Sequence, residues 1–211
     1  MGYPEPVVFV VDDDDSVRTA LARLIRSAGY RVEVFASASE FLATASLAAC
    51  PSCLVLDVQL PDVNGLQLQR ELDGACPIIF ITGYGDIAMT VHAMKAGASD
   101  FLSKPVRDAD LLGAIELALE RARQLYAMRC ERDALCCRFD RLTPREREVM
   151  ALVAEGRLNK QVASELGTVE QTIKAHRARV MTKMEVTSVA ELVHILDRID
   201  MLSAADNRPF R

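Results

Sequence analysis

Five short apolar runs punctuate the first 125 residues: Val7–Val11, Val32–Phe35, Cys53–Leu56, Ile78–Thr82 and Asp100–Leu102. Each has the length of a strand and is too short for a stable helix. Between them lie segments whose apolar residues recur at three and four, such as Val17, Leu21, Leu24 and Ile25, or Ile87, Val91 and Met94. Helix punctuation agrees: Asp86 precedes the second of these segments, Gly97 follows it, and Asp108 opens the last. Strands alternating with helices predict a parallel sheet covered on both faces. About 125 residues make one such domain.

In a doubly wound, flavodoxin-like sheet of order 2-1-3-4-5, the first and third strands are neighbours where the winding reverses. Ligands bind there, at the carboxyl ends of the strands. That topology aims at one spot Asp12 and Asp13, Asp57, Thr82, and Lys104 just past the fifth strand. Like charges that close either raise a pKa or demand a cation. Carboxylate oxygens with open positions suit Mg²⁺, which keeps several waters and uses few protein ligands. A lysine and a hydroxyl beside such a cation suit a phosphoryl group. Asp14 and Asp15 fit capping or solvated positions at the start of the first helix, where carboxylates favour the dipole.

From Asp108 to about Phe139 only Gly113 interrupts a helical pattern, with Leu111, Leu112, Ile115, Leu119 and Ala122 on one side. A long helix leaves the first domain here. Its later part offers either a short coiled coil with a second copy or a solvated linker. The last 70 residues change to compact helices. Thr143-Pro144-Arg145-Glu146 is a capping box with proline at the first helical position. Asn159 is expected to cap a short helix, Lys160–Leu166, ended by Gly167, and a third helix runs from about Glu170 to Met184. Ser188-Val189-Ala190-Glu191 opens a fourth. A short helix, a tight turn and a longer basic helix outline a helix-turn-helix. The expected organisation is residues 1–122, a linker 123–140, an all-α four-helix domain 141–203, and a flexible tail 204–211.

Residues 1–125 carry 10 Lys+Arg against 17 Asp+Glu, whereas 157–183 carry six against two. An acidic half joined to a basic window predicts two jobs. No apolar stretch approaches the roughly 20 residues of a membrane span. The N-terminus lacks the basic and apolar regions of a secretory signal, so the expected location is the cytoplasm. Cys50-Pro51-Ser52-Cys53 has CxxC spacing, but no second pair follows and Cys53 opens an apolar run. Buried small hydrophobe is the better assignment. Cys136-Cys137 is the better candidate for redox chemistry.

Several ordered motifs together resemble the receiver domain of two-component response regulators, over residues 6–120. They are Val10-Val11-Asp12-Asp13, Leu56-Asp57 with Leu60-Pro61-Asp62 and Asn64-Gly65, Ile81-Thr82-Gly83, and Phe101-Leu102-Ser103-Lys104-Pro105. Gly85-Asp86, Ala93-Met94-Lys95-Ala96-Gly97-Ala98 and Asp100-Phe101 resemble the FixJ-type group, from which Val106 departs. The resemblance implies that Asp57 accepts a phosphoryl group from a histidine of a sensor kinase. It implies that Asp12, Asp13, Asp57 and the Gln59 carbonyl hold Mg²⁺ (or Mn²⁺). Lys104 and Thr82 would contact phosphoryl oxygens, and Phe101 would be an aromatic switch coupled to Thr82. Phosphorylation would promote a homodimer through helix 4, strand 5 and helix 5.

Residues 140–200 resemble the NarL/LuxR-type DNA-binding domain. The resemblance rests on Leu142 to Val149, Asn159-Lys160, Val162-Ala163, Leu166-Gly167 and Thr172-Ile173-Lys174-Ala175-His176-Arg177. It implies a third helix that enters the major groove of promoter DNA, with RNA polymerase as a further partner. Lys174, Ala175 and Ala178 would take base-facing positions. Lys160, Thr172, Arg177, Arg179 and Lys183 are the candidates for phosphate contacts. Thr168-Val169 stands where the family has an apolar residue and a capping Ser, so Thr168 is expected to take over the cap. Gln171 replaces a frequent Arg.

The function that follows is a phosphorylation-switched transcription factor, not a turnover enzyme, although autodephosphorylation at Asp57 is compatible with it. One alternative is a DNA-binding dimer whose receiver is a phosphate-insensitive scaffold. Another is an Mg²⁺-dependent phosphatase, which would need a second Asp two residues after the nucleophile; Asp57-Val58-Gln59 lacks it.

Overall fold

The structure is a computed structural model that describes residues 4–83 and 87–205, without the side chains of 199–205. Asp86 as a helix cap, the Gly85-Asp86 motif, Met1–Tyr3 and the tail beyond Ala205 therefore lie outside the described residues. The chain divides into two compact units between Ala127 and Met128. Among the described residues no helix is long and apolar enough to cross a membrane.

The first unit alternates β1 (Val7–Val11), α1 (Asp15–Ser27), β2 (Arg31–Phe35), α2 (Ala38–Thr44), β3 (Ser52–Asp57), α3 (Gly65–Leu72), β4 (Ile78–Thr82), α4 (Ile87–Lys95) and β5 (Asp100–Ser103). It closes with the first part of α5 (Asp108–Asp140). The sheet order is β2-β1-β3-β4-β5, every pair parallel. This is the doubly wound arrangement the sequence predicts. β1, β3 and β4 are buried along their whole length, which explains their unbroken apolar composition.

Alternate side chains feed two cores. On one face Phe9, Phe35 and Phe41 form a cluster with ring centroids 5.4–5.9 Å apart, a spacing that suits edge-to-face contact. On the other, Val8, Val10, Cys53, Val55 and Ile79 pack with Ile25 of α1 and Leu111, Ile115 and Leu119 of α5. Fully burying each large side chain contributes about 1.5–3 kcal/mol. Cys50 and Cys53 are both buried, and burial pushes the Cys53 thiol far above its ordinary pKa. That thiol has no nucleophilic character.

One helical stripe points the other way. Ile87, Val91 and Met94 of α4 are 85%, 44% and 44% exposed, while Ala93 is buried. The small alanine lets α4 lie close to the core, and Gln69 of α3 donates to the Ala93 carbonyl at 3.2 Å. Met89 packs partly against the core as well, but Ile87, Val91 and Met94 are left facing solvent.

The second unit holds the rest of α5, α6 (Pro144–Ala154), α7 (Asn159–Glu165), α8 (Glu170–Met184) and α9 (Val189–Ala205). They enclose Val149, Val153, Val162, Ile173, Val180, Met184 and Leu192. The Thr143–Glu146 capping box of α6 is fully formed. Ser188 accepts from the Glu191 N–H, but Glu191 reaches back to Thr187, one residue beyond the expected partner. Two expectations are corrected. Asn159 does not cap α7: Leu158 holds that position, and its N–H donates to Gln161 Oε1. Thr168 does not cap α8 either; Val169 is the N-cap residue, and no side chain caps the helix.

Gly65 opens α3 where it meets the end of β3. A Cβ there would stand 2.7 Å from the Asp57 carbonyl oxygen and 3.1 Å from Val58 Cα, both backbone atoms that cannot yield cheaply. Gly65→Ala is expected to lower the stability of the first unit by about 1–3 kcal/mol. Urea unfolding of the full chain measures this, and an unchanged first transition would refute it.

Candidate functional site

The carboxyl ends of β1 and β3 are adjacent because Val11 is in register with Leu56. The next residues, Asp12 and Asp57, are almost fully buried. Past β5, Lys104 sends its ammonium between them, with Nζ 2.7 Å from Asp12 Oδ2 and 2.5 Å from Asp57 Oδ2. Asp12 Oδ1 accepts from the Asp14 N–H at 2.9 Å, and Asp57 Oδ1 accepts from the Gln59 N–H at 2.9 Å. Both carboxylates are thereby oriented by the loop that follows their own strand. Asp13 is exposed, and carboxylate oxygens of Asp12, Asp13 and Asp57 lie within 4.8 Å of one another.

Burial pushes the Asp12 carboxyl above the ordinary aspartate range despite its bonds to Lys104 and Asp14. Burial pulls the Lys104 ammonium down, but its bonds to Asp12 and Asp57 outweigh that and hold it above the usual lysine range. Three carboxylates thus face one ammonium, and the buried Asp12 is costly as an anion. An all-oxygen donor set with one side open to solvent fits a hard divalent cation.

Thr82 ends β4 fully buried, and its backbone carbonyl accepts from the Lys104 N–H at 2.8 Å. Phe101 of β5 is half-buried, its ring centroid 6.0 Å from that of Phe80. Asp14 caps α1 by accepting from Ser16 and Val17, and Asp15 pairs with Arg18. The structure brings Asp12, Asp13, Asp57 and Lys104 together and leaves Asp14 and Asp15 to the helix start.

In the second unit, Ile173, Val180 and Met184 anchor α8, while Thr172, Lys174, Ala175, Ala178 and Arg179 are exposed. Lys160, in the first turn of α7, is also exposed. Three of the candidate basic groups are engaged within the domain. Arg177 donates to Asn159 Oδ1 at 3.2 Å, and Lys174 pairs with Glu170 at 3.0 Å. Lys183, a candidate for a DNA phosphate, binds the buried Glu146 at 2.6 Å. Its partner lies 37 residues away, beyond any local pattern. The bonds from Lys183 and Thr143 hold the Glu146 carboxyl well down, at about 2.

Comparison with known proteins assigns a family to each unit. Residues 8–116 match the response regulator receiver domain, and residues 140–196 match the bacterial regulatory proteins of the luxR family. The chain is 46% identical over 202 residues to response regulator protein TmoT of Ectopseudomonas mendocina, covering 94% of this chain and 91% of that one. It is 50% identical over 196 residues to nodulation protein W of Bradyrhizobium diazoefficiens, covering 92% and 86%. The solved structure of response regulator StyR superposes with a TM-score of 0.77 at 47% identity, covering 92% of this chain and 99% of that one. The chain belongs to the two-component response regulators that pair a receiver with a LuxR-type helix-turn-helix.

Glu146 generates a pH prediction. Its carboxyl drops from an ordinary 4.5 to about 2 on folding. The stability this supplies is fully present above pH 4.5 and lost as the pH falls toward 2. Glu146→Gln keeps the capping geometry and removes the charge. It should flatten the acid-side slope of helix-domain unfolding followed by circular dichroism, and an unaltered slope would rule the ion pair out as its source.

Proposed function

We propose that Asp57 is the phosphoacceptor of a transcription factor switched by a sensor histidine kinase. One observation carries this reading: a single ammonium, Lys104 Nζ, bridges Asp12 and Asp57 at the carboxyl edge of the sheet. An Asp57 oxygen bonds to phosphorus as the bond from phosphorus to the kinase imidazole breaks. Asp12, Asp13, Asp57 and the Gln59 carbonyl would hold Mg²⁺, or Mn²⁺, which would supply positive charge beside the transferred group. Lys104 moves from its carboxylate partners to a phosphoryl oxygen. Thr82 donates to another oxygen, and Phe101 turns inward as Thr82 shifts. Positioning and charge neutralisation are what phosphoryl transfer demands.

The exposed apolar residues Ile87, Val91 and Met94 of α4, with Leu117 of α5 at 75% exposure, support a receiver homodimer through α4, β5 and α5. Pairing two helix-turn-helix domains raises DNA affinity through effective concentration. Lys160, Thr172, Arg177 and Arg179 contact phosphates, and Lys174, Ala175 and Ala178 face the bases. Lys183 is assigned to the Glu146 bond. RNA polymerase is the downstream partner at the promoter, and the cytoplasm is the compartment.

Two experiments test this. With acetyl phosphate and Mg²⁺, the full chain should take up one phosphoryl group and gain DNA affinity, and Asp57→Asn should do neither. If the variant dimerises and binds DNA like the parent under phosphodonor, the receiver is a scaffold and the proposal fails. Ile87→Asp should keep phosphoryl uptake but weaken phosphodonor-induced dimerisation by about tenfold or more in sedimentation. Unchanged dimerisation would place the interface elsewhere.

A further inference from the structure

The outward face of α8 is centred on Ala175, which is exposed between the buried Ile173 and Val180. At about 100° per residue, Gln171 lies only about 40° from Ala175, and Ala178 about 60°. Lys174 lies about 100° away on the same wheel, and it is drawn to Glu170. Gln171 is exposed in the first turn of the helix, and its amide makes no hydrogen bond among the described residues. In a helix-turn-helix the N-terminal residues of the recognition helix reach the base edges. Side chains on a helix also lean toward its N-terminus, which carries Gln171 further in that direction.

We infer that Gln171 reads one adenine in each half-site, and that it is the principal hydrogen-bonding specificity residue of α8. The inference rests on the DNA-binding role proposed above. A glutamine amide offers a donor and an acceptor in one plane, matching N7 and N6 of adenine in the major groove. Ala175 and Ala178 beside it supply methyl surface suited to the thymine methyl. The preferred half-site therefore contains an A·T-rich step under the first turns of α8. An arginine at this position would select guanine instead.

The test is selection from a random-sequence duplex DNA library by the full chain treated with acetyl phosphate and Mg²⁺, followed by sequencing. The parent should enrich a site with one strongly preferred adenine per half-site. Gln171→Ala should lose about tenfold of discrimination at that position alone and keep the other preferences. Gln171→Glu should move the preference there toward cytosine, whose N4 group donates. Loss of affinity at all positions alike would make Gln171 a phosphate contact or a structural residue and overturn the inference. An unchanged preference in both variants would overturn it too. No enrichment by the parent would instead bring down the DNA-binding role on which it rests.

Discussion

The receiver depends on one charge arrangement: a lysine ammonium held between two buried carboxylates that arrive from different strands. Each of the three groups would be unfavourable alone at that depth. Together they are tolerated because every charge has an opposite neighbour and each carboxylate also accepts a backbone N–H. The arrangement explains why the apolar strands stop where they do. A group that drew Lys104 away would leave two carboxylates needing new partners.

The helix-turn-helix domain uses the same economy at a second place. Glu146 is nearly buried, yet it serves the Thr143 N–H and the Lys183 ammonium at once. It joins the start of α6 to the last turn of α8. Arg177 and Asn159 add a weaker tie between α8 and α7. Basic side chains are therefore divided between holding the domain together and facing outward.

Much of the receiver was legible because its signals are local and redundant. The five apolar runs give the strands, and the doubly wound order then places Asp12, Asp57 and Lys104 at one edge. Local pattern gave the periodicity of α4 but not its direction, because the buried contact is a small alanine and the outward stripe is large and apolar. Long-range partners were invisible for a different reason. Nothing near Lys183 announces Glu146, and Asn159 has the composition of a cap while its amide serves Arg177. The close approach at Gly65 was hidden as well, since an Asn-Gly pair marks a turn without saying that another backbone lies against it.

The recognition helix is held unevenly. Its last turn is bolted by an ion pair, whereas its first turn begins at Val169, two-thirds exposed, with no side-chain cap. Ile173 is the first buried anchor, so the free part is the tip before it. On the DNA-binding role proposed above, that tip is the part free to adjust to a non-ideal groove while the buried residues stay in place. A reader built this way would tolerate imperfect promoters, with its selectivity concentrated in the few side chains at the tip.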